Sequence, residues 1–237
     1  AMYMKSLTYD GKSYISKLLP KYLGKEDTKL NAWIMEHMLV GMVKRVFNPR
    51  CKFDELMVLT GIQGVCKSSF IEKLALFPKW YCSLNNIEGK DAVSTLVGKV
   101  VVKLEKFVAL RNAKSADEAK LFISARTSTV RLPYERFSAD VKRTCILIVT
   151  TNDATFLEDF SGERRYLPVK VNSENIEMPI MYDLEKFPVL KTIIREEHRN
   201  IVQHDFEGAI VESIYLYENK LHDFYLLKRS IEYSCDS

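Results

Sequence analysis

The chain is poor in the residues that would tie it to metals, disulfides or membranes. Its 237 residues hold five cysteines, Cys51, Cys66, Cys82, Cys145 and Cys235, with no C-x-x-C pair and no histidine at ligand spacing. A zinc site and a disulfide framework are therefore not expected, and a reducing cytoplasm is. No apolar run approaches the roughly 20 residues that span a bilayer, so no membrane partner is expected. The N-terminus is polar and lacks the apolar core of a signal peptide. Ala1-Met2 reads as a vector scar, which would make the chain a fragment of something longer. Charge of one sign is also scarce, since the net charge is +4. Only the stretch from Lys90 to Arg143 is locally basic, with twelve Lys or Arg against six Asp or Glu. Such a patch could attract phosphates, and a solvated basic face fits it equally well.

Against that background stands one dense motif. Met57 to Thr60 is an apolar strand, followed by Gly61-Ile62-Gln63-Gly64-Val65-Cys66-Lys67-Ser68-Ser69 and then the helix-forming run Phe70 to Leu74. This is the layout of a phosphate-binding P-loop, G-x-x-x-x-G-K-[ST], with Cys66 in place of the second glycine. In such a loop, backbone N–H groups form an anion nest at a helix N-terminus. Lys67 would reach the β- and γ-phosphates of ATP and Ser68 would offer its hydroxyl to Mg²⁺. The alternative is a glycine turn with a solvated lysine. A side chain at position 66 would carry the left-handed cost of about 1–2 kcal/mol, and would weaken binding if that cost fell only on the bound state.

The apolar content of 47% suits a globular core. Residues 12–46 read as helical, with Trp33, Ile34, His37, Met38, Met42 and Val46 on one face. Asn48-Pro49 marks a turn. Strands are expected at 56–60, within 97–107, at 145–150 and at 164–171. The run Cys145 to Thr150 has the near-continuous apolar character of a strand buried on both faces of a parallel sheet. A helix is expected over 116–125, a hairpin or ordered loop over 127–137, and helix from 182 onward with a short hairpin around 215–227. Strands alternating with helices indicate an α/β three-layer core. The organisation expected is an N-terminal helical segment at 1–48, a P-loop core at 49–175 and a mostly helical extension at 176–237.

Three further features carry chemistry. In the strand Val100 to Phe107 only Glu105 is acidic, flanked by Lys103 and Lys106; it is either a catalytic acid or a surface acid paired with its lysines. Asn152, after the buried strand, can orient a water against a γ-phosphate or simply cap a turn. Arg164 and Arg165 leave a glycine turn and enter a strand; arginine supplied in trans stabilises phosphoryl-transfer charge, whereas a local ion pair is the plain alternative.

The order of these words resembles the virulence-associated protein E family, relatives of superfamily 3 helicases within the AAA+ class, found in phages and genomic islands. The likeness runs from Trp33 to Val171. It includes Asn48-Pro49-Arg50-Cys51-Lys52-Phe53-Asp54, Gly61-Ile62-Gln63-Gly64, Lys120-Leu121-Phe122-Ile123, Arg131-Leu132-Pro133-Tyr134, Thr150-Thr151-Asn152 and Gly162-Glu163-Arg164-Arg165-Tyr166. The resemblance implies a helicase-type ATPase that assembles as a homo-oligomeric ring, or stays monomeric as a fragment, and serves replication of a mobile element. Lys67 and Ser68 would bind MgATP, Asn152 would sense the γ-phosphate, and Arg164 or Arg165 would reach the neighbouring subunit. Lys120, Arg131 and Tyr134 would lie near a channel for single-stranded DNA.

Two departures from the family pattern bear on activity. The family has glycine where this chain has Cys66, and Glu-x-x-Glu where it has Lys103 and Lys106. A degenerate descendant that keeps the fold without hydrolysis is therefore the competing expectation. A small-molecule P-loop kinase is a third, without an identifiable acceptor pocket.

Overall fold

The apolar run at 145–150 forms the centre of a parallel sheet. The computed structural model describes residues 2–87, 89–105, 113–130, 139–152, 165–180 and 191–222. Their strands are β1 (Leu56–Thr60), β2 (Tyr81–Leu84), β3 (Val101–Glu105), β4 (Thr127–Val130), β5 (Ala139–Lys142), β6 (Ile146–Thr151) and β7 (Tyr166–Lys170). Five of them form one parallel sheet in the order β2-β3-β6-β1-β7, and β4 pairs with β5 antiparallel. The helices are α1 (Met2–Lys5), α2 (Ile15–Leu23), α3 (Lys29–Phe47), α4 (Lys67–Leu74), α5 (Gly89–Thr95), α6 (Ala113–Ser124) and α7 (Lys191–Glu218).

Alternation along the strands sorts the two faces. Met57 and Leu59 of β1 join a core with Leu19 of α2, Met38 of α3, Phe70 of α4 and Phe206 of α7. Leu56 and Val58 point the other way, into a second core with Ala119 and Ile123 of α6. Helices thus cover both faces of a sheet whose central strand β6 and its neighbour β1 are mostly apolar, giving three layers. Among the described residues, no helix is long and apolar enough to cross a membrane.

The helical stretch expected over 12–46 is present, as two helices. Gly24 ends α2 in the left-handed region at φ 63°, its N–H bonded to the Pro20 carbonyl at 3.1 Å. A Cβ there would lie 2.0 Å from the Asn172 carbonyl oxygen, so the break needs glycine twice over. Thr28 then caps α3 by accepting from the Asn31 N–H at 3.2 Å. The N-terminus of α2 has no such local cap. The Glu212 carboxylate of α7 supplies it, accepting from the N–H groups of Tyr14 at 2.6 Å and Ile15 at 2.8 Å.

The hairpin expected from 215 is also corrected, because α7 continues through Glu218 and the Asn219 N–H still bonds the Tyr215 carbonyl. Residues 223–227 lie outside the described residues. The strands expected at 56–60, within 97–107, at 145–150 and at 164–171 are present as β1, β3, β6 and β7. The edge strand β2 and helix α5 had no counterpart in the sequence reading.

Candidate functional site

The C-terminal ends of β1, β3 and β6 lie side by side, with Thr60 opposite Thr151 and Glu105 opposite Thr150. From β1 the chain crosses to the far edge at β2 and works back through β3 to β6. It then passes over β1 to β7 on the other side. That reversal of direction is the switch point at which open α/β sheets bind ligands, beyond the carboxyl ends of the strands.

The loop after β1 occupies this position. Gly64 has φ 91° and Cys66 has φ 56°, both left-handed. Cys66 is the residue before α4 and gives the helix no side-chain cap. The first N–H groups of any α-helix have no partner within it, so those of Lys67, Ser68 and Ser69 at the start of α4 are suited to receive an anion. The Cys66 sulfur folds back on its own loop, 3.8 Å from the Gly64 carbonyl oxygen. Ile62, Gln63 and Gly64 are exposed, while Val65 is buried and joins the core beneath.

Lys67 is buried, and burial lowers its pKa from the ordinary lysine value. Its ammonium donates to the Gly61 carbonyl at 2.7 Å, the Ile62 carbonyl at 2.7 Å and Asn152 Oδ1 at 3.0 Å. Three acceptors satisfy the three N–H donors of a lysine. The structure therefore brings together two residues expected to share a site from positions 85 apart in the chain. The solvated-lysine alternative does not describe Lys67.

The second strand supplies an unexpected arrangement. Lys103, in the interior of β3 and 7% exposed, donates to Ser68 Oγ at 3.0 Å and lies 2.5 Å from Glu105 Oε1. Ser83 of β2 donates to the same Glu105 oxygen at 3.0 Å. As they stand, these groups do not make a divalent-cation site. Of the oxygens that would face the metal, Ser68 Oγ accepts from the Lys103 ammonium and Glu105 Oε1 is ion-paired with it, and lysine cannot ligate. Among the described residues no group of three or more His, Cys, Asp or Glu could hold a metal. Lys106 lies outside the described residues.

Arg165 sits at the opposite end of the sheet. Its carbonyl accepts from the Leu56 N–H at 2.8 Å, at the start of β1, and its Nε lies 3.6 Å from Asp54 Oδ2. The four steps from Leu56 to Thr60 span about 13 Å at the usual strand rise. Arg165 is thus apart from the loop of its own chain and beside Asp54, while Asp159 and Glu163 lie outside the described residues. Lys120 lies on α6, whose Ala119 and Ile123 join the second core, and its carbonyl accepts from Ser124 Oγ at 2.7 Å. Arg131, Tyr134 and Arg164 lie outside the described residues.

The family model for the virulence-associated protein E-like domain matches residues 4–186. The chain belongs to that family. The match extends from before α2 to beyond β7, so the whole sheet of this virulence-associated protein E-like domain lies within it. No curated protein matches the sequence. Among solved structures, an apo structure of the NrS-1 C-terminal region is similar at a TM-score of 0.57 and 16% identity, over 98% of this chain and 59% of that one. The A form apo structure of the same region gives 0.54 and 16%, over 88% of this chain and 46% of that one. At such identities the likeness is one of fold. The domain spans about half the length of the structures that it resembles.

Proposed function

We propose that this domain is the nucleotide-binding unit of a helicase-type P-loop protein, of the AAA+ and superfamily 3 kind. It binds ATP at residues 61–69 and serves replication of a phage or genomic island. The observation that carries the reading is the environment of Lys67. Its buried ammonium is gripped by two loop carbonyls and by Asn152 at the start of an uncapped helix. A polyphosphate entering there meets the first amides of α4 and two ammonium groups, those of Lys67 and Lys103, and displaces the Lys67–Asn152 bond at its γ end. Asn152 is then free to turn toward the terminal phosphate. The position of Arg165, far from its own loop, suits a residue that serves a neighbouring subunit in a ring. Lys120, Arg131 and Tyr134 remain the candidates for single-stranded DNA.

The experiment is thermal unfolding with and without ATP. Ligand at 100 times Kd adds about 2.7 kcal/mol to stability. The wild type is expected to shift upward, and Lys67→Met is expected to abolish the shift. A wild type indifferent to ATP overturns the reading. A second reading, nucleotide binding without cleavage, is favoured by Lys103 on Ser68 and Glu105. Phosphate release in the presence of single-stranded DNA separates the two.

A further inference from the structure

We infer that the Lys103 ammonium is the built-in counter-cation of the phosphate site, so that this domain binds nucleoside triphosphate without a divalent metal. The inference rests on the nucleotide reading above and adds the cation on which that binding depends. A magnesium ion would need near-octahedral oxygen ligands at about 2.0–2.1 Å, with the Ser68 hydroxyl and a strand carboxylate among them. Lys103 engages both candidate oxygens, donating to Ser68 Oγ at 3.0 Å and pairing with Glu105 Oε1 at 2.5 Å.

The arrangement is built into the fold rather than draped over it. Lys103 lies opposite Ser83 of β2 on one side and Ile148 of β6 on the other, and is 7% exposed. An ammonium buried to that extent is tolerated only with partners. Glu105 provides the charge, and Ser83 holds Glu105 from the neighbouring strand at 3.0 Å. Two of the three lysine N–H donors are engaged, which leaves the third for a phosphate oxygen. The Ser68 hydroxyl accepts from Lys103 and keeps its own proton for the same ligand. A fixed positive charge thus stands beside the helix N-terminus, at the point where the triphosphate arrives.

The test is calorimetric titration of the whole chain with ATP, once in EDTA and once in excess Mg²⁺. The wild type is expected to bind with affinities within about threefold of each other, well under the decade that ~1.4 kcal/mol represents. Lys103→Met is expected to lose about tenfold in EDTA, or ~1.4 kcal/mol. Lys103→Glu, which restores a carboxylate in place of the ammonium, is expected to bind better in Mg²⁺ than in EDTA. Circular dichroism checks that each variant is folded, and the wild-type comparison stands without them. Wild-type binding that requires Mg²⁺ overturns the inference and leaves the nucleotide reading intact. A folded Lys103→Met that binds as tightly as wild type in EDTA also overturns it. Absence of ATP binding in both buffers overturns the nucleotide reading itself, and this inference with it.

Discussion

Cys66→Gly separates two places where the strain of the loop could be felt. Cys66 has φ 56° and ψ 23°, a conformation that costs a residue with a Cβ about 1–2 kcal/mol. Glycine removes that cost but loses about 0.5–1 kcal/mol through the freedom of its unfolded chain. The net gain is about 0.5–1 kcal/mol, or about 1–4 °C in Tm for a chain of this size. The loop is held by the protein's own bonds. Lys67 ties the Gly61 and Ile62 carbonyls at 2.7 Å each, and the Phe70 N–H bonds the Cys66 carbonyl at 2.9 Å. The strain should therefore fall on folding, and ATP affinity should change less than about twofold, far from the decade that ~1.4 kcal/mol would give. Cys66→Ala keeps the Cβ and loses only the long sulfur contact, so it is expected to stay within about 0.5 kcal/mol of wild type. Differential scanning fluorimetry and calorimetric titration measure the two quantities. If Cys66→Gly leaves Tm unchanged and tightens ATP binding tenfold, the strain belongs to the bound state and the argument is wrong.

Two further perturbations test the frame that carries the loop. A Cβ at Gly41 in α3 would lie 2.0 Å from Phe53 Cε2, and Phe53 is itself buried against His37. Overpacking of about 1–3 kcal/mol outweighs the ~1 kcal/mol that alanine gains in a helix, so Gly41→Ala is expected to lower Tm. A rise in Tm, as helix propensity alone requires, would show that Phe53 does not press on α3. Acid provides the second test. Burial lowers the His37 pKa below its ordinary 6.5, against the opposing pull of Glu55, while His222 and Lys44 push the same way as burial. His222 lies 3.2 Å from His37 and is itself bonded to Glu36. Below 6.5 the unfolded chain takes up the proton first, so stability falls as pH drops from 6.5 toward the lowered folded value. Urea melts across that window should show the loss in wild type and a shallower slope in His37→Gln. Equal slopes would assign the effect to other groups.

The parts legible in the sequence are those whose signal is local. The run at 145–150 had to be buried on both faces, and β6 indeed lies between β1 and β3. The left-handed backbone at position 66 followed from the glycine that a P-loop uses there, and Cys66 adopts it despite its Cβ. The break at Gly24 had a local signal too, a glycine followed by Thr28, but the apolar spacing on either side masked it. Strand β2 was hidden for another reason. Tyr81 and Cys82 are half-buried and Ser83 is exposed, and an edge strand with one neighbour needs no strong apolar pattern.

The remaining features depend on residues that meet only through the fold. Asp54 and Arg165 come together because β7 runs beside β1, and His37 meets His222 because the chain just after α7 reaches α3. Lys103 is the instructive case. In the sequence it marks only a reversal of charge where a metal is expected. Its chemistry depends on strand direction, which turns it toward Ser68, 35 residues away, and on Ser83 holding Glu105 beside it. Shifted by one residue, the same lysine would face the opposite side of the sheet, toward Leu84, Leu147 and Val149 of the neighbouring strands, where its charge would have no partner in that apolar cluster. Register in β3 therefore decides whether the positive charge stands beside Ser68 or destabilises the core.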